Sequence, residues 1–113
     1  MRHAVKCALM LGYRHIDAAF CYGNEDEVGL GLNDAFESGK VKREDVFVTT
    51  KLWCTYHTRV EENLALSLQR LNLEYIDLWL LHWPIAMNPE GQFSLLKALF
   101  THTHDEGQGR RQC

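Results

Sequence analysis

Three short apolar runs punctuate the chain: His15 to Ala19, Val46 to Leu52 and Ile76 to His82. The last two are rich in β-branched and aromatic residues and alternate only weakly, as strands buried on both faces of a parallel sheet do. Between the runs the apolar positions recur every three or four residues instead. Ala4 to Leu11 predicts a short apolar-faced helix, stopped by Gly12. Asn24 with Glu27 predicts a cap and first turn, after which Val28, Leu32, Ala35 and Phe36 share one face and Gly39 closes the helix. Thr58 with Glu61 fits a capping box, and Val60, Leu64, Leu68 and Leu71 follow as one apolar stripe. The resulting order, helix and strand three times over, predicts right-handed βαβ units and a parallel sheet of the α/β class. Pattern alone leaves the strand order open between a doubly wound sheet and a barrel. From Pro89 onward the character changes: "FSLLKALF" predicts a short helix, and "THTHDEGQGRRQC" has no apolar period and predicts a disordered tail.

Composition narrows the class without naming a chemistry. The 113 residues suffice for one small domain, with 46% apolar and 24% charged residues, ordinary values for a globular protein. A formal net charge of −3 gives no reason to expect nucleic acid or an anionic membrane as partner. No stretch approaches the roughly 18 consecutive apolar residues of a membrane span. The start "MRHAVKCALMLGYRH" is basic and then apolar, but it runs into Arg14 and His15 without a small-residue cleavage site, which argues against a signal peptide. Cys7, Cys21, Cys54 and Cys113 form no C-x-x-C pair and fit neither a zinc site nor a disulfide framework. Reduced thiols and a cytoplasmic location are the expectation.

The chemistry lies at the strand ends. Asp17 follows "YRHI", Lys51 follows "VFVTT" and His82 follows "LWLL", each about one βα unit after the last. In parallel α/β folds the C-terminal ends of the strands share one face, and that face carries the active site. Asp17, Lys51 and His82 should therefore converge, with Tyr22 leaning over them from the loop after the first strand. A free phenol has a pKa near 10, too high for an efficient acid at neutral pH, and a nearby ammonium favours its ionisation. Lys51 can supply that charge, Asp17 can pair with the buried lysine, and His82 can donate a hydrogen bond that orients a carbonyl. The set suits delivery of a proton to an oxygen while something else attacks the carbon. Each residue also has a plain structural use: a loop or cap aspartate, an exposed lysine, a satisfied core histidine. The functional reading rests on all four falling at one end of consecutive units. Trp53, Trp83 and Phe20 flank the strand ends, where they form either an apolar carbonyl pocket or the cap of a hydrophobic rim. "GNEDEVGLG" is not a dinucleotide fingerprint, since no G-x-G-x-x-G follows a strand. His102 and His104 with Asp105 read as a chance cluster, so no metal is expected. The absence of Y-x-x-x-K excludes the short-chain dehydrogenase pattern, and the surroundings of Lys51 argue against a Schiff-base lysine.

The motifs "GYRHIDAAFCYGNEDEVG", "VFVTTKLW" and "LEYIDLWLLHWP" closely resemble the aldo-keto reductase family, in that family's order and spacing, over about Val5 to Gly91. The resemblance implies a (β/α)₈ TIM barrel that uses NADP(H) to reduce aldehydes and ketones to alcohols. It implies that Tyr22 is the proton donor, that Lys51 and Asp17 tune it, and that His82 orients the carbonyl. It further implies that Asp17 touches the nicotinamide ribose and that Trp53 and Trp83 line the substrate pocket.

A barrel of this type needs eight strands and about 250 residues, whereas three strands are predicted here. The expectation is a partial barrel over residues 1–91, beginning within the family's first helix, and a tail of another character over 92–113. Most family contacts to the cofactor fall outside the matching stretch, so turnover by this chain alone is not expected, and exposed sheet edges should favour self-association. The alternative is a non-catalytic fragment, a binding or regulatory piece or a gene-model artefact.

Overall fold

The computed structural model describes residues 1–88. Three helices and three strands alternate: α1 (Arg2–Met10), β1 (His15–Asp17), α2 (Glu25–Glu37), β2 (Phe47–Leu52), α3 (Val60–Leu71) and β3 (Leu78–Leu81). Short 3₁₀ turns, Phe20–Tyr22 and Cys54–Tyr56, follow the first two strands. The expected helix "FSLLKALF", the expected tail over 92–113 and the cluster at His102, His104 and Asp105 lie outside the described residues.

The sheet is wholly parallel, in the order β1-β2-β3. Each strand lies beside the next one in sequence, as in a barrel, rather than reversing direction as a doubly wound sheet does. Ile16 and Val48 carry the helix-covered face, and with Val5, Leu9, Val28, Leu32, Ala35, Val46 and Leu71 they form the hydrophobic core. The register of His15 with Phe47, Asp17 with Thr49 and Lys51 with Leu80 puts these residues on the opposite face. On that face Phe47, Leu78 and Leu80 are exposed.

Two glycines of α2 set how tightly the helices pack. A Cβ on Gly29 would lie 2.5 Å from the Leu71 carbonyl oxygen, and one on Gly31 would lie 2.5 Å from that of Arg2. α2 is thus pressed against α3 on one side and α1 on the other, at distances only a missing side chain permits. Gly39, at φ +71°, ends α2 in the left-handed region that favours glycine.

The helix caps differ from expectation. Asn24 does precede α2, but its side chain makes no capping hydrogen bond, and three acidic residues, Glu25, Asp26 and Glu27, fill the first turn instead. α3 starts later than the Thr58 capping box implied: its N-cap is Arg59, with no side-chain cap. The stripe Val60, Leu64, Leu68 and Leu71 is only partly the buried face. Val60 is exposed, and the residues fully buried along α3 are Asn63, Ser67 and Leu71. α3 meets the sheet through polar side chains because the sheet side also presents polar groups, described below. The strands are one or two residues shorter at their ends than the apolar runs. β1 stops at Asp17, where the chain turns into the 3₁₀ segment.

Candidate active site

Parallel register brings the strand-end residues together. Asp17 pairs with Thr49, so Lys51 lies one pleat repeat further along β2 on the same face. From there its side chain reaches back across the sheet. Lys51 Nζ donates to Asp17 Oδ1 at 2.6 Å and to the Ala18 carbonyl at 2.8 Å. The two partners differ in solvation: the lysine side chain is 13% exposed and the aspartate 60%. The ammonium is therefore enclosed and held by two acceptors, while the carboxylate faces the open mouth with its second oxygen available to a hydroxyl donor.

Tyr22 closes the 3₁₀ turn that follows β1, and Gly23 at φ +65° ends that turn. The turn folds the phenol over the strand ends, with Lys51 Nζ 5.4 Å from the ring centroid. His82 follows β3, and its backbone N–H continues the ladder to the Leu52 carbonyl at 3.1 Å. Its imidazole stands edge-on to Tyr22 at 5.9 Å and to Trp53 at 5.6 Å. Burial, and then the nearby Lys51 charge, push the His82 pKa below the usual imidazole value, against a smaller pull from Asp17. The ring is thus neutral at neutral pH, able to donate a hydrogen bond without carrying a charge.

Asp17, Tyr22, Lys51 and His82 form one cluster. Of the aromatic residues, Trp53 joins it through His82, and Trp83 stands 47% exposed beyond His82. Phe20 turns away from the cluster, packing edge-on against Tyr56 at 5.2 Å and under the Arg70 guanidinium. It serves as an anchor for the turn.

Two groups escaped the reading of the sequence. Cys21 Sγ lies 3.6 Å from His82 Nδ1, so the thiol forms part of the mouth, and burial raises its pKa above the usual thiol value. Nothing in the sequence marks it beyond its place beside Tyr22. The second is a buried polar layer behind the sheet, in which Glu25 accepts hydrogen bonds from Thr50 and Ser67, and the Trp53 backbone N–H donates to Asn63 Oδ1 at 3.1 Å. The signal that could have found it is the polar residues Asn63 and Ser67 at a spacing of one helical turn, in phase with Leu71.

This arrangement can hold a carbonyl oxygen between a phenol and a neutral imidazole. A fixed cation stands behind the phenol, where it can stabilise negative charge as a proton leaves. The contact it offers to a cofactor is the exposed Asp17 carboxylate, which suits a sugar hydroxyl.

Comparison with known proteins gives the same architecture. A model of the Aldo/keto reductase family matches residues 1–108. The D-galacturonate reductase of Hypocrea jecorina is 59% identical over 91 residues, which make up 80% of this chain and 29% of that protein. The glycerol 2-dehydrogenase (NADP(+)) of Saccharomyces cerevisiae is 56% identical over 86 residues, 76% of this chain and 26% of that protein. Among solved structures, the Bombyx mori aldo-keto reductase in complex with NADP superposes with a TM-score of 0.79 at 48% identity, covering 81% of this chain and 31% of that one. The chain thus spans about three-tenths of the length of the relatives it matches. With most of its residues matched and its strands, turns and helices superposed on those of the family, the chain belongs to the aldo/keto reductase family.

Proposed function

We propose that this chain carries the carbonyl-protonating site of an NADP(H)-dependent reductase that converts aldehydes or ketones to alcohols. The observation that carries the reading is the contact of Lys51 Nζ with Asp17 at 2.6 Å, directly under the Tyr22 ring and beside His82.

Tyr22 gives its phenolic proton to the carbonyl oxygen, and the ammonium of Lys51 stabilises the phenolate left behind. Asp17 holds that ammonium in place, and solvent at the exposed phenol returns the proton afterwards. His82, as a neutral imidazole, donates a hydrogen bond that orients the carbonyl. Trp53 and Trp83 offer the apolar flank for the rest of a small carbonyl substrate. Asp17 would take a ribose hydroxyl of NADPH, which when bound supplies the hydride to the carbonyl carbon. Family membership and the NADP-bound Bombyx mori neighbour support this choice of cofactor.

The test starts with binding. Titration of the chain with NADPH, read by the fluorescence of Trp53, Trp79 and Trp83, tests whether this chain builds a cofactor site. Saturable quenching would extend the reading to this chain, and any NADPH oxidation with a small aldehyde should then fall about 10²–10⁴-fold in Tyr22→Phe with the quenching intact. Absence of saturable quenching would mean that the chain works as a non-catalytic piece. Equal turnover in Tyr22→Phe would remove Tyr22 as the proton donor.

A further inference from the structure

Behind the mouth lies a carboxylate that the proposed chemistry does not use. Glu25 is the first residue of α2, a place where acidic side chains usually sit in solvent near the helix dipole. Here it is only 1% exposed. Its Oε1 accepts from Thr50 Oγ1 at 2.6 Å and its Oε2 from Ser67 Oγ at 3.2 Å, so both oxygens are engaged. Thr50 and Ser67 are themselves fully enclosed. A buried carboxylate held by two neutral hydroxyls is a poor way to add stability, because desolvating the acid is costly and an apolar side chain would fill the same space without that cost.

Its connections suggest another use. Glu25 follows Tyr22 by three residues, Thr50 precedes Lys51 on β2, and Ser67 lies on α3. One carboxylate therefore ties together the turn that bears Tyr22, the strand that bears Lys51 and the helix behind both. Phe20 anchors the start of the turn on Tyr56 and Arg70, and Glu25 anchors its exit. Between the two anchors stand Cys21 and Tyr22, the residues that cover His82.

We propose that Glu25, through Thr50 and Ser67, is a positioning residue that fixes the Cys21–Tyr22 turn against Lys51 and His82. Its significance for turnover rests on the reading of Tyr22 as proton donor; its effect on the geometry does not.

The His82 imidazole provides a readout that needs no turnover. Its titration reports how well Cys21, Tyr22 and Trp53 shield the ring and how near the Lys51 ammonium and the Asp17 carboxylate stand. The Cε1 proton of His82 in the 113-residue chain, assigned with His82→Gln, can be followed by NMR against pH. Glu25→Ala should release the turn, admit water and raise the His82 midpoint toward the free imidazole value. Thr50→Ala removes one hydroxyl donor and should shift it the same way by less. Glu25→Gln keeps an acceptor for Thr50 and a partner for Ser67, and should restore the wild-type midpoint. Leu9→Ala, which opens a cavity in the core of α1, should lower thermal stability and leave His82 unchanged. If Glu25→Ala does not fold, Thr50→Ala and Glu25→Gln decide the question. A wild-type midpoint in Thr50→Ala and in any folded Glu25→Ala, or an equal shift in Leu9→Ala, would overturn the proposal. A chain that fails to bind NADPH would overturn the reductase reading alone and leave this comparison valid.

Discussion

At the scale of residues, the charges in this site are set by what surrounds them. His82 is held neutral by burial and by Lys51. A histidine with a lowered folded-state pKa binds fewer protons than the unfolded chain, so stability rises with pH through the window between the two values. Its contribution is complete above the unfolded value near 6.5 and declines as the pH falls below it. The denaturant midpoint should therefore drop on acidification through that window, and His82→Gln should flatten the slope. Asp77 is held in its charged rather than its neutral form, with the same dependence of stability on pH. Burial draws its carboxyl upward, but the Val48 N–H and the Arg43 guanidinium at 2.7 Å outweigh that pull and hold it below the usual value. Its contribution is present above the unfolded carboxylate value and declines as pH falls toward the lowered one. An Asp77→Asn chain should lose less stability than the parent as the pH falls from the unfolded carboxylate value, about 4, toward the lowered folded one. The strand-end residues were legible in the sequence because a reactive side chain after each apolar run is a local pattern. Cys21 and Glu25 were not, since their roles depend on which other elements cover them.

At the scale of elements, the helices were readable by period and misread at their faces and ends. α3 has the expected apolar spacing, yet its most buried positions hold Asn63 and Ser67. An apolar stripe shows that a helix has a buried side, but the partner surface decides which residues lie deepest. That surface carries the Trp53 N–H and the Glu25 carboxylate, which need polar partners. Asn63→Ala should leave the Trp53 N–H without its acceptor and cost about 1–3 kcal/mol in denaturant unfolding. Gly29 offers a second check. An added methyl would meet the Leu71 backbone rather than a side chain that could swing aside. Gly29→Ala should thus destabilise by about 1–3 kcal/mol despite its better helix propensity. A gain in stability would mean that α2 and α3 can separate at little cost.

At the scale of the whole molecule, the described sheet presents one face to its helices and the other, with Phe47, Leu78 and Leu80, to solvent. Among the described residues the outer edges of β1 and β3 pair with no further strand. Unpaired edges and exposed apolar faces promote association. Sedimentation of the 113-residue chain should show concentration-dependent self-association, weakened by Leu80→Lys, whose charge falls on the exposed face. A monomer at all concentrations would show that this face is covered. Among the described residues no helix is long and apolar enough to cross a membrane.

The sequence by itself determined the βα rhythm, the parallel sheet and the family, because these depend on short-range periodicity and on motifs contiguous in the chain. It also determined that Asp17, Lys51 and His82 share one end of the sheet, since strand direction repeats with each unit. Only the tertiary structure decided how those groups meet: the register that places Lys51 on the face of Asp17, the turn that lays Tyr22 above it and the thiol that covers His82. It alone decided that Glu25 is buried and that α3 docks through polar residues. Burial and hydrogen-bond partnership are properties of neighbours distant in the chain, and no local pattern records them.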